Sequence, residues 1–328
     1  MNIITSSRLA LALVAVALAP AVMAQGSAAS YPTKPIRLVV PFAPAGPTDI
    51  AARIVGQKLS EALGQPVVIE NKPGAGGTVG SADVARAPAD GYTLLYGSSS
   101  TLAVSPSLYP KLSYDAATAF VPVGLVARGP QILVISSALP VSNFAQFVEY
   151  AKKNPDAMSF SSPGNGSIGH LACELLIKTL GIKAVHVPYK GGAPALNAVA
   201  ANDTQFSVDA VGTTAGLIKT GKMKAIAVLS DKRTNFAPEL PTISEGGYPP
   251  VIADFWSGIV APAGTPKAIV DKLNKEILAI LKKPEVVSQL QTLGSEPQGS
   301  APAEFASLIR EESSRWAEVV RYSGAKAE

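Results

Sequence analysis

The chain of 328 residues carries one cysteine, Cys173, and two histidines, His170 and His186. A single thiol rules out an internal disulfide, so packing alone has to hold the fold. Cys173 falls among Leu171, Leu175 and Leu176, the setting of a small buried apolar residue. So few histidines and cysteines give no H-x-x-x-H or C-x-x-C spacing, and neither a metal nor a cofactor is expected. Asp49, Asp83 and Asp209 read first as acids at helix starts, where capping is the default. Charge is sparse as well: 16% of residues are charged, with 28 Lys and Arg against 24 Asp and Glu. No dense basic cluster is interleaved with aromatics, which argues against a nucleic-acid partner. The small positive excess favours acidic solutes through a weak field.

What is abundant is apolar. The chain is 47% hydrophobic, with 28 Gly and 27 Pro, enough core for two lobes joined by many short loops. Residues 1–24 read as an export signal, with Arg8, an apolar run Leu9–Leu18, and Val22-Met23-Ala24 before the cleavage point. The run falls short of the ~20 residues that a membrane span needs. No cysteine stands near the cleavage point to take a lipid anchor, and no later segment is long and apolar enough to span. The mature chain is therefore expected outside the cytoplasm.

Ile36–Val40 reads as a buried strand, Pro41–Pro47 as a loop of small residues and prolines, and Thr48-Asp49 as the opening of a helix. Ile50, Ile54, Val55, Leu59 and Leu63 recur on one face of that helix, and Gly64 stops it. Such a unit presents unpaired backbone N–H groups to an anion. Strand and helix signals then alternate to Ala225–Leu229, which predicts an α/β fold with mainly parallel sheets. The C-terminal part is helical, beginning at Thr265-Pro266, and is expected to clad a sheet formed earlier. One lobe is thus discontinuous: residues 31–128 with 252–328, the other being 129–251. Chain crossings are expected near Ala127–Gln131 and within Ala237–Trp256, with Pro238–Pro250 as a linker.

Gly164-Asn-Gly166-Ser-Ile-Gly169 matches G-x-G-x-x-G between a strand and a helix. No acid lies between Glu174 and Asp203 to take a ribose, which argues against a dinucleotide. The amides of the loop still suit a carboxylate. A nucleophile elbow at Ser167 would need glycine where Asn165 stands, so a hydrolase is disfavoured. Ser98-Ser-Ser-Thr101, Tyr189-Lys-Gly-Gly192 and Asp209 each follow a strand, at the edge where open α/β sheets bind ligands.

These residues carry a resemblance. Tyr31-Pro-x-Lys-Pro-Ile-Arg37, Val40-Pro-Phe-Ala-Pro-x-Gly46 with Thr48-Asp49, and Asn71-Lys-Pro-Gly-Ala-Gly-Gly77 resemble the periplasmic solute-binding proteins of tripartite tricarboxylate transporters, the Bug (TctC-like) family. Ala89-Asp-Gly-Tyr92, Gly164–His170, Val187-Pro-Tyr189-Lys-Gly-Gly192 and Ala261-Pro-Ala-Gly-Thr265-Pro266 extend the likeness over nearly the whole mature chain. The resemblance implies a two-lobed periplasmic binding protein, type II-like, that closes on a small carboxylate and serves membrane transporter subunits as a monomer, without catalysis. It implies ligand-binding positions at Phe42, Ala45, Gly46, Thr48 and Asp49, and at Ser98 and Thr101. From the other lobe it implies Ser161, Gly164, Asn165, Ser167, His170, Tyr189 and Asp209. The family usually has Gly-Gly where this chain has Ala45-Gly46. If the loop needs a positive φ at position 45, the first carboxylate contact is altered or slightly strained. A periplasmic sensory module partnering a membrane receptor is the alternative reading, and an exported hydrolase the last. Dicarboxylates, tricarboxylates, amino acids and aromatic acids all remain open as ligands.

Overall fold

The computed structural model describes residues 30–109 and 111–327. The export signal expected at residues 1–24 lies outside the described residues. Strands β1 (Ile36–Val40), β2 (Val67–Asn71) and β3 (Thr93–Ser98) run parallel with β1 between the other two. Then come β4 (Phe120–Gly129), β5 (Gln131–Ser136), β6 (Ser159–Ser162), β7 (Val185–Pro188), β8 (Phe206–Ala210), β9 (Met223–Val228), β10 (Phe255–Pro262) and β11 (Glu296–Pro297). They form two sheets, ordered β11-β4-β10-β3-β1-β2 and β7-β6-β8-β5-β9. The fold is a two-lobed α/β architecture with one sheet in each lobe. The pairing is mixed: β10 runs antiparallel to β3 and β4, and β5 antiparallel to β8 and β9. Parallel pairs occupy the part of each sheet that feeds the candidate site.

The helices are α1 (Pro47–Leu63), α2 (Thr78–Ala85), α3 (Ser105–Leu108), α4 (Phe144–Lys153), α5 (Ile168–Leu180), α6 (Gly192–Ala201), α7 (Val211–Lys219), α8 (Lys267–Ile280), α9 (Pro284–Thr292) and α10 (Pro302–Ser323). α1 ends as its sequence predicts, with Gly64 at φ 67 and its N–H bonded to the Ser60 carbonyl. Its buried face holds most of the expected residues: Val55 and Leu59 are buried, and Ile54 and Leu63 pack partly buried against the same core. Asp49, Ala51, Ala52, Val55 and Leu59 point inward, while Ile50 is 37% exposed. The small Ala51 and Ala52 let the helix lie close to the sheet, and a count of large apolar residues overlooks them.

β4 is the largest element that the sequence pattern does not announce. Pro122 and two glycines interrupt its apolar run, and without alternation the strand has no periodic signature. β4 and β10 pair along eight positions, so the strand that returns from the second lobe is locked beside the strand that leaves the first. The chain passes from the first sheet to the second between Gly129 and Gln131, and returns between Val228 and Phe255. The returning Pro238–Pro250 stretch is packed: Leu240 and Ile243 are buried in it. The Leu229 amide bonds the Gln131 carbonyl, and the Ala253 amide bonds the Leu229 carbonyl, which ties the two passages together. Arg128 and buried Asp254 add an ion pair of 2.7 Å at the same level.

α8 and α9 cover the first sheet as expected, but α10 bridges the lobes. Its buried Trp316 belongs to an apolar cluster that includes Leu95 and Leu125 of the first sheet and Phe160 and Phe206 of the second. Lys178 of α5 lies 3.8 Å over the Tyr322 ring and 3.5 Å from the Glu318 carboxylate. Among the described residues no helix is long and apolar enough to cross a membrane.

Candidate functional site

β1 and β3 end side by side because they are parallel neighbours, and each delivers a loop to the same edge. The loop after β1 is pinned by Asp49 in the first turn of α1. One Asp49 oxygen accepts the Ala45 amide at 2.9 Å and Arg53 Nε at 2.8 Å; the other accepts Asn71 Nδ2 at 2.8 Å. Asn71 Nδ2 also lies 3.1 Å from the Phe42 carbonyl, and Arg53 reaches Asn71 Oδ1 at 3.0 Å. Burial would raise the Asp49 carboxyl, but the bonds from Arg53, Asn71 and Ala45 outweigh it and hold the group below the usual carboxylate range. Ala45 takes φ 65, the left-handed conformation that favours glycine. Gly46 is the N-cap of α1, and no side chain caps that terminus. The first-turn amides, Thr48 among them, therefore lack intrahelical partners and face the anion-friendly end of the helix. Phe42 is half-buried against the first lobe's core.

β3 runs straight into helical backbone: Ser100–Val104 form a π-helical turn that continues into α3. Thr101 Oγ1 accepts the Ser98 amide at 2.9 Å and sits 3.2 Å from the Ser98 carbonyl. Thr101 thus holds the turn. The Ser98 and Ser99 hydroxyls are buried with no hydrogen-bond partner among the described residues. A buried hydroxyl without a partner is costly, so these two groups mark a place suited to ligand or water.

In the second lobe the parallel β6, β7 and β8 carry their residues to one edge. Ser161 is fully buried and its hydroxyl donates to the Ala195 carbonyl at 2.8 Å, so it anchors α6 and does not line the edge. Ser167 caps α5, its Oγ accepting the His170 amide at 3.2 Å. His170 is 4% exposed, and its Nδ1 accepts the Gly166 amide at 3.0 Å. Gly164 takes φ 137 and Gly166 φ 70. A Cβ built on Gly166 would lie 2.1 Å from Leu108 Cδ2, so the bare Cα of this loop rests directly on α3 of the first lobe. Gly169 serves packing: a Cβ there would meet the Val208 carbonyl at 2.7 Å.

Asn165 sits half-buried between these glycines. Tyr189 is half-buried after β7, and its amide bonds the Ser162 carbonyl at 3.0 Å. Asp209 ends β8, where one oxygen accepts the Ala210 amide and the Thr213 hydroxyl, each at 2.7 Å. Burial raises its carboxyl above the ordinary value, and those two bonds offset the shift only in part. α6 and α7 both start at this edge without side-chain caps. The positions predicted from sequence therefore divide. Phe42, Ala45, Gly46, Thr48, Ser98, Gly164, Asn165, Tyr189 and Asp209 stand at the two edges, while Asp49, Thr101, Ser161, Ser167 and His170 hold the loops from beneath. Asn71 and Arg53 were not among the predicted positions. The i,i+4 spacing of Asp49 and Arg53 on a helix was the signal available. A separate cleft of about 460 Å³ lies beside the two passages between the sheets, lined by Arg128, Ser230, Asp254, Glu296 and others, and contains none of these loop residues.

The geometry agrees with what the chain is similar to. Residues 51–324 match the model of the tripartite tricarboxylate transporter family receptor. The solved periplasmic binding protein BugD is 38% identical, the match covering 91% of this chain and 100% of that one, with a TM-score of 0.75. Rpa4515 of R. palustris, solved with adipate, is 35% identical over 90% of this chain and 99% of its own, with a TM-score of 0.79. MatC from Rhodopseudomonas palustris, solved with bound malate, is 35% identical over 88% of this chain and 100% of its own, with a TM-score of 0.75. The matching family model is that of a receptor. The chain belongs to the tripartite tricarboxylate transporter receptor family, that of the Bug proteins.

Proposed function

We propose that this protein is a periplasmic solute-binding protein that captures a small carboxylate between its lobes and delivers it to a tripartite tricarboxylate-type membrane transporter. The observation that carries the reading is the pinned first loop. A buried carboxylate, Asp49, fixes the Phe42–Thr48 backbone so that an uncapped helix N-terminus and the loop amides stand at the sheet edge beside Ser98. Such donors bind a carboxylate strongly in a dry cleft, and no arginine clamp is needed. Two relatives that share the fold at 35% identity were solved with adipate and malate, both dicarboxylates, so that class is the first to test.

The ligand's first carboxylate is held by Phe42–Thr48 and Ser98, and its other end meets Gly164, Asn165, Tyr189 and Asp209. Asp209 suits a hydroxyl, an ammonium group or an ordered water. The lobes are residues 31–128 with 252–328, and residues 129–251, hinged at the two passages. Ligand shifts the protein toward closure by the contacts that only the closed state offers. The experiment is uptake in a deletion strain. Loss of high-affinity uptake of the dicarboxylate that the purified protein binds, restored by the intact gene, supports delivery. Unchanged uptake with a lost transcriptional response would instead favour a sensory partner.

A further inference from the structure

Both histidines of the chain stand together behind the glycine loop. The rings of His170 on α5 and His186 on β7 stack at 3.8 Å with 7° between their planes, and Phe160 stacks on His186 at 4.8 Å. Each ring reaches a different glycine. His170 Nδ1 accepts the Gly166 amide directly at 3.0 Å. His186 Nε2 lies 2.7 Å from Ser162 Oγ, which accepts the Gly164 amide at 3.2 Å and lies 3.1 Å from the Gly164 carbonyl. These two glycines have the positive φ values that shape the loop, and Gly166 is where the loop meets Leu108 of the other lobe.

We propose that the stacked His170–His186 pair is the positioning element of the carboxylate site: His170, neutral at Nδ1, holds the Gly166 amide and so fixes the loop that meets both ligand and opposite lobe. The inference rests on the carboxylate reading above. Accepting an N–H at Nδ1 requires that nitrogen to be unprotonated, which leaves the ring hydrogen on Nε2. Nε2 in turn lies 3.7 Å from the Glu174 carboxylate, beyond hydrogen-bond length. His170 touches the ligand only through the loop it holds.

The acceptor atom is what matters, and chemistry offers a way to separate it from the ring. Asparagine Oδ1 hangs from Cγ as Nδ1 does in histidine and can accept the same amide; leucine fills space without an acceptor. Three proteins, wild type, His170→Leu and His170→Asn, are compared by hydrogen exchange at the Gly166 amide and by calorimetric titration with adipate. His170→Leu is expected to speed Gly166 exchange at least tenfold and weaken adipate binding about tenfold, while His170→Asn recovers most of both. An asparagine variant as defective as leucine, or wild-type protection in the leucine variant, overturns the proposal. Should the leucine variant fail to fold, wild type alone decides. A through-bond 15N–15N coupling between Gly166 and His170 Nδ1 is expected, and its absence in a well-resolved spectrum overturns the proposal. If wild type does not bind adipate or other carboxylates, the carboxylate reading fails, while the exchange and coupling results still decide what His170 does.

Discussion

Ala45→Gly should stabilise this protein. Ala45 sits at φ 65 in an exposed loop, where its Cβ gains no packing. An L residue in the left-handed region pays roughly 1–2 kcal/mol that glycine does not. Glycine in turn loses about 0.4–1 kcal/mol more backbone entropy on folding. The difference leaves a net gain of about 1 kcal/mol, provided the Ala45 amide keeps its bond to Asp49 in both proteins. For a chain of this size such a gain raises the melting temperature by roughly 1–2 °C. Urea unfolding at pH 7 gives the free energy, and a calorimetric melt checks the temperature shift. A variant that melts at or below wild type would refute the reasoning, because it would mean that residue 45 is not held left-handed in solution.

Two further predictions follow from buried polar groups. Asp49→Ala removes the acceptor of the Ala45 amide, Arg53 and Asn71; it should cost about 2–4 kcal/mol in urea unfolding and weaken carboxylate binding at least tenfold. Unchanged affinity would demote Asp49 to an ordinary helix-start acid. Burial and the neighbouring His170 push His186 down to about 4 from an ordinary 6.5. Between those values the unfolded chain holds more protons, so the contribution of His186 is whole above pH 6.5 and is lost progressively as pH falls to about 4. Partial exposure screens this to on the order of 1–2 kcal/mol. Unfolding free energies from pH 7 to 4 should slope less in His186→Gln than in wild type, and equal slopes would contradict the assignment.

Much of this was legible in the sequence because it is local. The strand–loop–helix unit at Ile36–Leu63, its glycine stop and the glycine loop at Gly164–Gly169 are set by residues a few positions apart. The tension at Ala45 could also be stated in advance, and the left-handed φ is what the backbone adopts there. Long-range pairing was not legible. β4 exists because β10 returns from the other lobe to pair with it, more than a hundred residues later. α10 reads as a simple amphipathic helix, and only the packing shows that its Trp316 joins both lobes. Side-chain roles at the site were the least legible part. Sequence places Ser161, Ser167 and His170 at the binding edge, but only the fold shows that their polar atoms are already engaged with Ala195, the His170 amide and Gly166.

Carboxylate capture is tested most directly by equilibrium titration of the purified protein, freed of bound solute by unfolding and refolding. Adipate, malate, a tricarboxylate, acidic amino acids, aromatic acids and a sugar would each be followed by calorimetry and by melting temperature. One carboxylate class should bind saturably, and at 100 times its dissociation constant should stabilise the fold by about 2.7 kcal/mol. Binding of the sugar alone, or no binding of any carboxylate by correctly refolded protein, would contradict the account.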